Sequence, residues 1–190
     1  ASNNHYYLKI AEAAIYAPAE VSVNAEVTVD NGTGADKLTD GKLDAYYESE
    51  SYTNSVDVDA PIVIKLAKTE SIGAVRVYPN FVDGKPVNFM KAAQVYVSND
   101  GETWESVMEL TLIADPLNGA QLLLFPQGKL AQYVKIVPMQ LVGDGKQFSL
   151  QLREVDIVGT KVPVDPNAGG PVQKLEKVYT NVEIGGNPVL

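Results

Sequence analysis

The sequence predicts an all-β domain, a two-sheet sandwich or jelly roll of about eight strands. Short apolar runs recur along the chain, with Gly, Asn, Asp or Pro between them. Several of these runs alternate apolar and polar residues with the period of two that an extended chain imposes. No helical pattern of about 10 to 15 residues intervenes between the runs, which argues against a βαβ architecture.

Residues 6–17 fit a short helix or a strand equally well, and Pro18 ends either one. Val21, Val23, Ala25, Val27 and Val29 then alternate with Ser22, Asn24, Glu26 and Thr28, which predicts a half-buried strand. Asp30 to Gly34 reads as a loop. Pro61 to Leu66 reads as a strand with proline at its first position, where no ladder donor is lost. Ile72 to Tyr78 is another strand. The connection from Pro79 to Phe89 mixes aromatics, amides and charges around Asp83-Gly84, the composition of a binding loop.

Ala93 to Ser98 predicts a strand with Val95 and Val97 on one face, and Asn99-Asp100-Gly101 turns it back into Thr103 to Val107. Trp104, the only tryptophan, suits a sugar-stacking platform or a half-buried position, and its place at a strand start favours the second. Gln121–Phe125, Ala131–Val137, Phe148–Leu152 and Glu154–Val158 complete the strands, separated by loops with Gly128 and Gly143-Asp144-Gly145. Residues 20–160 thus form the sandwich, with 1–19 an N-terminal extension. The prolines and glycines of Lys161 to Pro171 read as a linker, and Gln173 to Leu190 as one extra strand or the start of a neighbouring domain.

Charge and composition narrow the function. A chain of 190 residues, 45% hydrophobic, suffices for one well-cored domain. There is no cysteine, which removes disulfides, thiol catalysis and thiolate metal sites. No apolar run is long enough to span a bilayer, and residues 1–20 show no basic start followed by an apolar stretch. The net charge of −9 disfavours nucleic acid and anionic membrane surfaces, and suits neutral sugars, cationic partners or calcium. His5, the single histidine, lies in a polar start with no catalytic partner suggested.

The densest cluster of candidate chemistry is Lys37 to Ser51. Asp40-Gly41 signals a turn, and Asp40, Asp44 and Glu48 crowd the same stretch. A tight loop that turns a carboxylate and several carbonyls inward suits a hard cation. The same residues also make a solvated acidic turn.

Taken together, four motifs give a resemblance. They are Thr39-Asp40-Gly41 leading to Tyr46-Tyr47, the hairpin Val95 to Trp104, the strand Gln132 to Ile136, and the closing run Leu152 to Gly159. In this order they resemble the coagulation factor 5/8 type C, or discoidin, family, which includes many galactose-binding-like carbohydrate-binding modules. The resemblance implies an eight-stranded jelly roll with a structural calcium. Asp40 and Glu154 would supply carboxylates, and Lys37 and Lys42 backbone carbonyls. Ala45 stands where many members carry Thr or Ser, so it would offer only its carbonyl.

The resemblance also implies a sugar site on the loops at one end of the sandwich, here Glu48–Asn54, Tyr78–Asn88 and Gly143–Phe148. Tyr52, Phe81, Phe89 and Phe148 are candidate platforms. Asn54, Asn80, Asp83, Lys85, Asn88 and Lys146 are candidate hydrogen-bonding groups. The histidine and arginine used by galactose-binding relatives have no counterpart in these loops, since Arg76 lies in a strand and Arg153 beside Glu154. The implied function is a non-catalytic module that binds a neutral glycan, part of an extracellular, cell-surface or periplasmic protein with neighbouring domains. A protein-interaction or adhesion domain on the same fold is the alternative. A glycosidase reading would need two facing carboxylates, with Asp83 and Asp144 the pair to test.

Overall fold

The computed structural model describes residues 20–56, 58–112, 119–143, 146–160, 182–184 and 187–189. His5, Asp144, the N-terminal extension and the linker after Thr160 lie outside the described residues.

Ten strands are described: β1 (Glu26–Val29), β2 (Tyr47–Glu48), β3 (Ile62–Val82), β4 (Lys85–Val87), β5 (Met90–Ser98), β6 (Glu105–Leu112), β7 (Gln121–Leu141), β8 (Gln151–Gly159), β9 (Val182–Ile184) and β10 (Asn187–Val189). The first eight form one antiparallel network in the order β2-β8-β3-β7-β5-β6, with β1 and β4 also paired to β3. β9 and β10 form a separate antiparallel pair.

Two bent strands turn this network into a sandwich. The first part of β3 pairs with β1 and with the second part of β7, through partners such as Ile64↔Val27 and Ile62↔Ile136. The second part of β3 pairs with β8 and with the first part of β7, through Val77↔Val155 and Val77↔Gln121. The sequence reading divides β3 and β7 into two strands each, because their polar middles look like loops. The chain instead remains extended through them, and the pairing slips between Lys65 and Glu70 and again between Ile72 and Ala74. The second slip also switches the buried residues from Ile62, Ile64, Leu66 and Ile72 to Val75 and Val77. An extra residue in a strand shifts every later side chain to the opposite face.

One apolar core joins both sheets. It includes Ile62, Ile64, Val75, Val77, Val95, Ile136, Leu152, Ile157 and Tyr47, together with Leu38 from the loop before β2. The predicted strand Val21–Val29 is shorter in the structure. A turn with Asn24 at φ 58° interrupts it, so Val23 is exposed while Ser22 is buried. The Ser22 hydroxyl bonds across to β8, donating to the Val155 carbonyl and accepting from the Ile157 N–H.

The β5–β6 turn forms where the sequence places it. Asp100 Oδ1 accepts from the Glu102 and Thr103 N–H groups and from the Ser98 hydroxyl. These bonds hold the Asp100 carboxyl well below the usual carboxylate range. Trp104 is half-buried beneath the Lys135 ammonium, which lies 4.2 Å from its ring centroid.

Candidate functional site

Two carboxylates organise the end of the sandwich near β2 and β8. The first, Glu154, stands on β8 under the loop that precedes β2. A turn of 3-10 helix, Ala35–Lys37, starts that loop, and Leu38 anchors it in the core. The Leu38 carbonyl accepts from Val155 N–H at 2.8 Å, bringing the following turn directly over Glu154. Gly41 adopts φ 74°, and the Gly41 and Lys42 N–H groups donate to Glu154 Oε2 at 2.9 and 3.2 Å.

Glu154 is only 3% exposed, and its Oε1 has no hydrogen-bond partner. Burial, with added repulsion from Asp156 and Asp40, pushes its pKa up to about 7. Asp156, two residues along the same strand, is held by the Arg76 guanidinium and the Tyr78 hydroxyl, each at 3.1 Å. Carboxylate oxygens of Glu20, Glu154 and Asp156 lie within 4.8 Å of one another. Sequence reasoning missed Glu20 and Asp156. Asp156 shares the face of Glu154 by strand alternation, which is the signal that could have found it.

The other predicted metal residues lie along this loop. Asp40 Oδ1 accepts from Lys42 N–H at 2.9 Å, and the Lys37 ammonium sits 3.6 Å from Asp40 and 2.8 Å from Asp36. Of Lys37, Lys42 and Ala45, Lys42 alone hydrogen-bonds Glu154, through its N–H. A buried carboxylate with one orphaned oxygen and two acidic neighbours fits a divalent cation, which would satisfy that oxygen and offset the repulsion.

The second carboxylate, Glu48, faces a cleft of about 580 Å³. Tyr47 points into the core at 0% exposure, so alternation along β2 turns both Tyr46 and Glu48 outward. Tyr47 pairs with Leu152 beneath the cleft floor, and Glu48 pairs with Gln151 on the floor itself. The opposite wall comes from the β3–β4 hairpin, with Asn80, Val82, Pro86, Val87 and Asn88. Val142, Gly143, Gln147 and Ser149 close the end.

A directed chain of hydrogen bonds crosses this floor. Arg153 donates from Nε and from its terminal guanidinium nitrogen to Asn80 Oδ1, at 3.0 and 2.9 Å. Asn80 Nδ2 donates to Gln151 Oε1 at 2.9 Å, and Gln151 Nε2 donates to Glu48 Oε1 at 2.6 Å. A cation at one end and a carboxylate at the other fix which way each amide points. Ser149 adds a hydroxyl donated to the same Glu48 oxygen at 3.3 Å.

The predicted sugar-binding residues divide. Asn80 and Asn88 line the cleft. Tyr52 and Phe148 pack on the core and exchange backbone hydrogen bonds, and the Tyr52 hydroxyl donates to the Asp59 carbonyl. Phe89 is buried, and Phe81 lines a separate small hollow with Leu43, Tyr78 and Arg153. Asp83, at φ 51°, and Gly84, at φ 74°, form the exposed tip of the β3–β4 hairpin, with Lys85 beside them. Asn54 Oδ1 accepts from Val56 N–H within its own loop, and Lys146 is exposed. The aromatic at the cleft is instead Tyr46, 41% exposed.

Comparison with known proteins agrees with this architecture. A family model described as the F5/8 type C domain matches residues 20–154. The chain belongs to the F5/8 type C family. No curated protein matches it. Among solved structures, it is similar to CBM32-3 from a family 31 glycoside hydrolase of Clostridium perfringens, at 18% identity and a TM-score of 0.62 over 75% of this chain and 95% of that one. It is also similar to chitosan-binding module 1 of a chitosanase/glucanase from Paenibacillus sp. IK-5, at 19% identity and a TM-score of 0.57 over 75% and 99%. A third is the family 32 carbohydrate-binding module of NanJ from C. perfringens, solved with galactose, at 15% identity and a TM-score of 0.53 over 75% and 99%. This F5/8 type C domain therefore shares the fold of those modules.

Proposed function

We propose that this F5/8 type C domain is a non-catalytic carbohydrate-binding module of an extracellular or cell-surface glycan-handling protein. The observation that carries the reading is the cleft floor, where Asn80, Gln151 and Glu48 are held in fixed orientation beside Tyr46. Sugar hydroxyls need planar donors and acceptors already in place, and the C–H face of a sugar ring needs an aromatic edge or face. The solved neighbours named for chitosan and bound to galactose support the same reading. A glycosidase works with two facing carboxylates, and Asp83, one of the pair to test, stands at the exposed tip of the β3–β4 hairpin and does not line the cleft. The net charge of −9 points to glycans without acidic groups, and away from nucleic acid and anionic membranes.

The scaffold reading adds calcium near Glu154 and Asp40, with carbonyls of Lys37, Lys42 and Ala45 as further donors. Bound there, the ion would act on stability, because a ligand that binds only the folded state shifts the folding equilibrium toward it. Calcium is expected to raise the unfolding temperature, and Asp40→Ala to remove that rise. An unfolding curve indifferent to both calcium and chelator would eliminate the metal.

A glycan array tests the sugar reading. Hits that disappear in Gln151→Ala and Tyr46→Ala support it, while hits that survive both variants put the site elsewhere. The alternative, a protein-interaction domain, draws on Leu122 and Leu124, exposed at 58% and 67% on the first part of β7. A concave polar cleft suits sugar better than protein, which favours broad, flat apolar patches.

A further inference from the structure

We propose that the cleft prefers glycans carrying a free amine, with Glu48 as the residue that sets the preference. This rests on the reading of the cleft as a sugar site.

Glu48 is the only charged residue among the described residues that line the cleft. It is half-buried, and no ion pair to it exists among the described residues. Gln151 and Ser149 both donate to Oε1, and among the described residues no hydrogen bond to the second oxygen is found. The guanidinium that balances the relay stays behind Asn80, where it also donates to the Phe81 carbonyl, and it does not line the cleft. A ligand at the floor therefore meets one oriented negative charge, with no basic residue among the described residues that line the wall. An ammonium replacing one sugar hydroxyl gains a charge-assisted hydrogen bond there. An N-acetyl group removes that charge. A uronic or sialic acid would bring a second carboxylate against Glu48, which repels it.

Calorimetric titration of the whole chain at about pH 6, where a sugar amine is protonated, tests this with three trisaccharides. They are β-1,4-linked glucosamine, its fully N-acetylated form, and the neutral glucose equivalent. The glucosamine trisaccharide is expected to bind about tenfold or more tightly than the acetylated one, the size of one charge-assisted hydrogen bond. Glu48→Gln keeps the shape and should bring the ratio of the two affinities close to one. Glu102→Gln makes the same charge change on the exposed β5–β6 turn and should leave the ratio in place. A second readout needs no variant, since raising the salt should shrink the preference in the unaltered protein.

Equal affinity for the amine and acetylated forms would overturn the proposal. So would a preference that survives Glu48→Gln, or one that Glu102→Gln lowers as much. Binding of the neutral sugar with no amine preference removes this inference alone. Failure of all three trisaccharides, with an empty glycan array, removes the sugar reading beneath it.

Discussion

Glu154 and Glu48 sit on adjoining strands, β8 and β2, which pair through Leu152 and Tyr47, yet their surroundings differ in kind. Glu154 is enclosed by a loop, has two acidic neighbours, and keeps one oxygen with no partner. Glu48 opens onto a cleft, and fixed donors engage one of its oxygens. A carboxylate in the first setting raises the energy of the folded chain until a proton or a cation joins it. One in the second setting is already oriented and can meet a ligand without reorganising. In the proposed reading, the first region serves the scaffold and the second recognition.

The comparison breaks most heavily at the strand pair the two regions share, where Tyr47 meets Leu152. Tyr47→Ala should cost about 3 to 5 kcal/mol in urea unfolding, and it should weaken calcium response and sugar binding together. If only one of them falls, the two regions do not depend on that pairing alike.

Next in size is the pH dependence of Glu154. Its pKa is raised from 4.5 to about 7 in the folded state, so between those values the folded chain holds a proton that the unfolded chain has released. Stability without metal should therefore fall as pH rises through that window, by a total on the order of 3 kcal/mol, and level off above it. Glu154→Gln should flatten this slope, and saturating calcium should flatten it in the unaltered protein. A slope of the same size in Glu154→Gln would assign it to other groups.

Asn80→Ala should have a smaller effect on stability, about 1 to 3 kcal/mol, because it strands the donors of Arg153 and an acceptor of Gln151. It should lower sugar affinity by more than its effect on folding suggests, measured by titration at a temperature where the variant is fully folded. Glu26→Gln gives the baseline for a carboxylate in neither region. It removes a surface pair with Lys65 at 3.3 Å and should change stability by less than about 0.5 kcal/mol.

Much of the fold was legible in the sequence because sheets announce themselves by alternation and turn residues. The faces of Val95 and Val97, the turn at Asp100 and the closing strand of β8 all follow from local pattern. The continuity of β3 and β7 does not, because Ala67 to Ser71 and Pro126 to Leu130 are polar or turn-like, and it is the pairing on either side of the slips, such as Lys65↔Tyr133 with Glu70↔Ala131 and Ile72↔Lys129 with Ala74↔Leu124, that carries the strands through. The site was harder to read. Asn80 and Asn88 stand out as loop amides, but Gln151 and Glu48 acquire meaning only from their register across β2 and β8. Tyr52, Phe81 and Phe148 look like platforms in a linear reading, and the fold turns them to the core or to another hollow. Orientation along a two-residue strand is set by its neighbour Tyr47, which fills the core and leaves Tyr46 and Glu48 outside.

The most direct measurement is an NMR titration that follows the side-chain amide signals of Asn80, Asn88 and Gln151 as a binding oligosaccharide from the array is added. The account predicts that these signals, and the backbone amides of Tyr46 and Glu48, shift first and furthest. The largest shifts at Leu122 and Leu124, or in the hollow beside Phe81 and Leu43, with the cleft amides unmoved, would contradict it.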